Sequence, residues 1–208
     1  MEGNLYELLT YAYEEPLPLP LQAHLSQLMR QDSFRKHDVV LEQGKINTRL
    51  YYIQRGLLRA YSIDDGIEET TWIKGEGEFV VTIPSFYEQV PSNQTIHALE
   101  PTDVFSIGHS DFYSTLKQHL EFAYIAYKLQ TAVLLEWNER LQKLKKLDMP
   151  HRFQWLYQRH PNLIHRTPGI PDKYLASFLG MTPETFSKIK AAFFRLSDGS
   201  PTITQKAS

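Results

Sequence analysis

The chain has 208 residues, of which 42% are hydrophobic and 22% charged, an ordinary globular composition with enough length for one large or two small domains. It contains no cysteine, which excludes disulfides, thiol nucleophiles, cysteine-ligated zinc and cysteine-held iron–sulfur clusters. Net charge is only −2, but residues 1–139 carry 10 Lys and Arg against 20 Asp and Glu, while residues 140–208 carry 12 against 4, a split that suggests an acidic module joined to a basic, nucleic-acid-binding one.

Residues 1–33 have helical periodicity at 5–13 and again at 21–29, with Pro16, Pro18 and Pro20 interrupting the run. The N-terminus is acidic, without the basic start and apolar run of a secretory signal. No apolar run approaches the roughly 18 residues of a membrane span. A cytoplasmic protein with no membrane partner is expected.

From residue 34 to 107 the pattern shifts to short β-rich runs between turn signals: 39–42, 50–53, 57–63, 68–73, 78–83, 94–99 and 104–107. Gly44, Gly56 and Gly75 stand at the corners, and Asp65-Gly66 between two runs predicts a hairpin, because both turn positions tolerate positive φ. Many short strands at this spacing predict a closed or rolled all-β domain.

Residues 111–147 read as one long helix with Asp111 as a possible cap. Ile125, Leu129 and Ala132 form one apolar stripe, and Leu134, Trp137, Leu141 and Leu144 another. Such a stripe serves either to pack on its own domain or as a dimer seam. The phase change near residue 133 argues against a single uninterrupted coiled coil. Asp148-Met149-Pro150 caps a further helix over 151–159.

Residues 172–190 hold the most specific pattern. Leu175, Phe178 and Leu179 repeat at helical spacing, and Gly180 follows where a helix can end through positive φ. Thr182 then suits an N-cap, Pro183 the first helical position, and Glu184 the positive end of the dipole. Phe186 and Ile189 continue the stripe. This is the sequence form of a helix-turn-helix, with a recognition helix over about 182–196.

The order of β-roll, long helix and helix-turn-helix resembles the Crp/Fnr superfamily of bacterial transcription regulators. The residues that carry the resemblance are Gly44, Leu50-Tyr51-Tyr52-Ile53, Gly56, Leu58-Arg59-Ala60-Tyr61, Gly77-Glu78-Phe79, Thr95 to Glu100, and Gly180 to Ile189. The resemblance spans about residues 34–195. It implies an α+β chain: a β-roll (double-stranded β-helix, jelly-roll-like) sensor with a long connecting or dimerisation helix in 1–147, then an all-α helix-turn-helix domain in 148–208.

The family holds cyclic AMP with backbone N–H groups, a Glu and an Arg in a short cassette, here Gly77 to about Thr95. Allowing one inserted residue, Thr82 stands at the Glu position and Ser92 at the Arg position. No Arg or Lys occurs between Lys74 and Lys117. A buried phosphate needs a fixed cation, and losing it removes a charged hydrogen bond worth about 1.5–3 kcal/mol. The expectation is therefore no cyclic AMP and no other assigned cofactor. The cassette residues Phe79, Val81, Thr82, Ser85, Phe86, Ser92 and Asn93 either line a pocket for an unknown effector or simply fill a core.

In the resembling recognition helix, Pro183, Glu184, Thr185 and Lys188 face base edges. Glu184 can accept from the cytosine amino group and Lys188 can donate to guanine, while Thr182 and Lys190 reach phosphates. The family's better-known members have Arg where Pro183 stands, so one guanine contact is missing. The resemblance implies a homodimer on a roughly palindromic duplex, with RNA polymerase as a further partner. The other class of function is a ligand-binding or protein-interaction module with a vestigial helix-turn-helix. No nucleophile, phosphate-loop or metal-ligand motif marks an enzyme. The eight histidines are scattered, with no helical i, i+4 pair at His160 and His165. A winged variant would need a hairpin after the recognition helix, and the tail with Asp198-Gly199 leaves little room for one.

Overall fold

The structure, a computed structural model, describes residues 3–166 and 169–198. Contacts divide the chain into two units, residues 1–138 and 139–208.

The first unit opens on α1 (Gly3–Tyr13) and α2 (Leu19–Leu28). Leu5, Leu9 and Ala12 of α1, and Leu21 and Leu25 of α2, fall at three- and four-residue spacing and are all buried. Strands β1 (Arg30–Phe34), β2 (Val39–Leu41), β3 (Arg49–Arg55), β4 (Leu57–Asp64), β5 (Ile67–Gly75) and β6 (Phe79–Val80) follow. Then come α3 (Ile83–Glu88), β7 (Thr95–Ala98), β8 (Thr102–Gly108), α4 (His109–Gln118) and α5 (Leu120–Lys146). The strands form two four-stranded antiparallel sheets, ordered β1-β8-β3-β6 and β2-β7-β4-β5.

Alternation along the strands sorts the side chains into two cores. Tyr51, Ile53, Val80 and Val104 of the first sheet meet Leu41, Leu58, Ala60, Trp72, Ile96 and Ala98 of the second, forming the interior of the roll. The opposite face of the first sheet, with Tyr52, Phe105 and Ile107, packs against α1, α2, α4 and the first turns of α5. At the β4–β5 turn Asp65 (φ 48°) and Gly66 (φ 79°) both adopt positive φ, as the hairpin requires. Gly56 is fixed more tightly: at φ 110° a Cβ there would lie 2.4 Å from Thr102 Oγ1 and 2.6 Å from Thr102 Cα.

Three local expectations are corrected. Residues 30–34 are a strand paired to β8 (Arg30↔Ser106 to Phe34↔Thr102), not part of a helical segment. Its polar, largely exposed edge gives no alternation to detect. The run expected over 78–83 is a strand only at Phe79–Val80; extended Thr82 and Pro84 then start α3. The helix expected over 111–147 is two helices. Gly108, not Asp111, precedes α4, and His119 in extended backbone (φ −129°, ψ 105°) separates it from α5.

The second unit contains the last turns of α5, then α6 (Met149–Arg159), α7 (Pro161–Ile164), α8 (Asp172–Phe178) and α9 (Pro183–Asp198). Asp148 caps α6 by accepting the backbone N–H of His151 at 3.0 Å. Phe153, Leu156, Leu175, Ala176, Leu179 and Phe186 are buried in this unit. The division falls inside α5, earlier than the 147/148 boundary expected from sequence. Its cause is local: Glu139 accepts from Trp155 Nε1 at 3.1 Å, and Arg140 donates to the Phe178 carbonyl at 2.7 Å. The wing question falls in residues 199–208, outside the described residues. No described helix is long and apolar enough to cross a membrane.

Candidate nucleic-acid interface and effector cassette

Gly180, at φ 64°, ends the helix-turn-helix's first helix, and Met181 N–H bonds back to the Ala176 carbonyl at 3.0 Å. Thr182 precedes α9 and its Oγ1 accepts from Thr185 N–H at 3.3 Å, with Pro183 at the first helical position. Ala176 is fully buried, and the small side chain lets the two helices approach closely. Sequence chemistry thus fixes the turn and leaves one end of α9 in solvent.

On that end Thr182, Pro183, Glu184 and Lys188 are exposed, and Thr185 is half-buried. Hydrogen bonds from its own backbone N–H and from the Thr182 hydroxyl, with the Lys188 charge nearby, hold the Glu184 carboxyl below its ordinary range. It is an acceptor at neutral pH. Lys190 is placed differently from these five. Its ammonium lies 2.8 Å from Asp172 Oδ1, and Ser187 donates to Asp172 Oδ2 at 3.2 Å, tying α9 to the start of α8.

Arg152 is a further cation of the basic portion of the chain. In the structure its guanidinium donates to the carbonyls of Leu147 (2.9 Å), Leu144 (2.8 Å), Leu179 (3.2 Å) and Gly180 (3.4 Å). It secures the end of α5 and the helix-turn-helix turn, using the fork of donors that only Arg offers. Nothing in local sequence could have shown this, since the acceptors lie 5, 8, 27 and 28 residues away.

In the cassette the polar side chains bond to one another's loops. Thr82 Oγ1 accepts from Asn47 Nδ2 at 3.2 Å. Ser85 Oγ accepts from Asn47 N–H at 2.8 Å and donates to the Val90 carbonyl at 2.6 Å. Ser92 Oγ donates to the Gln94 carbonyl at 2.8 Å. Phe86 is fully buried, with ring neighbours Tyr87 (5.3 Å), His109 (5.3 Å) and Phe112 (5.6 Å). Phe79 stacks on Tyr52 at 5.2 Å, and Val81 lies against the same core. Phe79, Val81 and Phe86 therefore join the core beside α1, α2 and α4 rather than the roll interior, and Asn93 is exposed. Asn47, which no motif in the sequence marks, is the hub of this arrangement.

Two faces of α5 explain the apparent phase change in its stripe. Phe122, Ile125 and Leu129 pack inward. Leu120, Tyr124, Tyr127, Leu134 and Leu141 are exposed, Leu120 and Leu134 by 78% and 67%. With Thr131 and Asn138 these fall at alternating spacings of four and three from 120 to 141, an unbroken heptad row. Of the two stripes expected from sequence, Ile125 and Leu129 belong to the inward face, and Leu134 and Leu141 to the exposed row.

No curated protein sequence matches the chain. Residues 31–119 match the family described as cyclic nucleotide-binding domain. Among solved structures, FixK2 from Bradyrhizobium japonicum is similar with a TM-score of 0.70 at 15% identity, covering 82% of this chain and 86% of its own. The c-di-GMP responsive global regulator CLP from Xanthomonas campestris gives 0.65 at 16% identity, covering 90% and 96%. A CooA variant from Carboxydothermus hydrogenoformans gives 0.65 at 19% identity, covering 91% and 84%. At these identities the likeness speaks for the fold.

Proposed function

We propose that this chain, whose residues 31–119 match the cyclic nucleotide-binding domain family and whose fold is similar to those of FixK2 and CLP, is a homodimeric, DNA-binding transcription regulator of the Crp/Fnr type that does not answer to cyclic AMP. The observation that carries this reading is the solvent-facing start of α9. Thr182, Pro183, Glu184 and Lys188 stand together there, in the portion of the chain whose charge balance is basic. An α-helix of this kind fits the major groove, where an ionised Glu184 accepts from cytosine N4 and Lys188 donates to guanine O6 and N7. Thr185 reaches base or phosphate, and Thr182 and Lys190 supply phosphate contacts.

The α5 heptad row supports dimerisation, because an exposed seam of Leu and Tyr gains by pairing with a copy of itself. Two recognition helices then read half-sites about 34 Å apart. RNA polymerase is a partner proposed on family grounds alone. The cassette supports independence from cyclic AMP: the Arg position holds Ser92, whose hydroxyl is committed to its own turn. The protein is not proposed to be an enzyme.

A selection of duplex fragments bound by the full-length chain tests the proposal. A roughly palindromic operator should emerge, and Lys188→Ala should relax one base position in each half-site at a cost of about 1–3 kcal/mol. Recovery of no enriched sequence would leave the interaction-module reading in its place.

A further inference from the structure

Helix α1 ends on a residue that its backbone does not suit. Glu14 lies at φ 69°, a left-handed conformation that glycine takes freely and L side chains rarely do. Its N–H still closes the last turn on the Thr10 carbonyl at 2.9 Å. Strain of this kind persists where the surroundings hold it in place. Here the Glu14 carboxylate takes the Lys128 ammonium of α5 at 2.6 Å. That hydrogen bond, then the Glu14 charge, holds Lys128 above its ordinary value. One residue earlier, the Tyr13 ring meets the Tyr124 ring edge-on at 6.3 Å, and the Lys128 ammonium stands 5.8 Å from the Tyr124 ring.

Both α5 partners of α1 lie on the exposed heptad row or at its margin. Spacings of four and three put Leu120, Tyr127 and Leu134 at d, and Tyr124, Thr131 and Asn138 at a. Phe122, Ile125 and Leu129 then fall at f and b, and these are the residues that pack inward. Leucine at d with an asparagine at a favours two parallel strands in fixed register. Lys128 follows Tyr127 and is therefore an e residue, at the edge of such a pair. In a parallel pair an e residue faces a g residue of the second copy, ordinarily one of opposite charge. The nearest g residues here are Ala123 and Gln130, which carry no charge. The charge partner of Lys128 comes instead from α1 of its own chain.

We propose that the end of α1 is part of the interface between two copies of this chain, with Tyr13 and Glu14 closing the e side of the α5 seam. It rests on the dimer reading above and adds to that seam an element outside α5. Without Glu14, each copy would bring an unanswered ammonium to the edge of the seam and strip water from it on association. The small Ala123 of the second copy leaves room there for the Glu14 side chain.

Sedimentation equilibrium on the full-length chain, beside thermal unfolding, tests this. Glu14→Gly gives the left-handed position the residue it favours, so the dilute monomer should melt no earlier than wild type. The dimer dissociation constant should nevertheless rise about two- to thirtyfold, because two symmetry-related exposed ion pairs are lost. A merely structural cap would leave that constant where it was. Exchanging the charges, Glu14→Lys with Lys128→Glu, should restore the dimer. Glu15→Gln, the same loss of charge one residue on, should leave it unchanged. A wild-type dimer whose affinity survives Glu14→Gly, or a folded exchanged pair that fails to rescue, would overturn the proposal while the dimer reading stands. A wild-type monomer would overturn both.

Discussion

Lys190 on α9 holds the Asp172 carboxylate of α8 at 2.8 Å, so the lysine best placed by sequence to touch phosphate is already paired within the motif. Both side chains are half-exposed, and such a pair contributes about 0.2–1 kcal/mol. Lys190→Ala should therefore cost little stability while weakening all duplexes alike. Asp172→Asn should free the ammonium, raise affinity for random duplex and steepen its salt dependence by about one contact. Anisotropy titrations at several salt concentrations check both; lower affinity in Asp172→Asn would show that the pair, not the free lysine, is what DNA needs.

Arg152 ties the end of α5 to the turn between α8 and α9. It satisfies four carbonyls at helix ends, and hydrogen bonds from a charged donor are worth about 1.5–3 kcal/mol where well formed. Arg152→Ala should lower the unfolding free energy of this unit by that order, read from a lower urea midpoint at unchanged slope. Arg152→Lys should not rescue it, because one ammonium cannot span acceptors on both sides of the turn. Full rescue by Lys would reduce the site to a simple charge.

The α6 cap should lend the second unit an acid limit. The His151 backbone N–H, and then its ring nitrogen at 2.6 Å, hold the Asp148 carboxyl below its ordinary value. A depressed folded value means that its stabilisation is present above the unfolded carboxylate value and is lost as pH falls through the folded one. The stability difference between wild type and Asp148→Ala should therefore be constant near neutral pH and shrink below about pH 4. A difference that grows with acidity would reverse the assignment.

The heptad row on α5 predicts its own disruption. Leu134 and Leu141 are exposed, so Glu at both positions should leave the helices folded while converting the dimer to a monomer. Sedimentation equilibrium beside far-ultraviolet circular dichroism separates the two effects. A dimer that persists in the double variant would move the interface elsewhere.

Local chemistry made much of the fold legible in the sequence. Asp65-Gly66 and the Gly180-Met181-Thr182-Pro183 punctuation encode their conformations in the residues themselves, and the structure has both. What escaped was set at long range. Strand β1 exists because β8 pairs with it across the chain, and its own residues are polar and exposed. The break at His119 has no glycine or proline to announce it. In the cassette, the missing Arg was visible by position, but the hub at Asn47 was not, since its partners Thr82 and Ser85 lie 35 and 38 residues on. Lys188 and Glu184 needed no such help, because the cap alone orients the start of α9.

The most direct measurement is the affinity of the full-length chain for random duplex DNA as salt is raised. A dimer should bind at low salt, with log K falling linearly against log salt and a slope that shrinks when Lys188 and Lys190 are both replaced by Ala. Cyclic AMP should leave the curve unmoved. A folded dimer with no affinity for duplex DNA at low salt, or one whose affinity ignores both lysines, would contradict it.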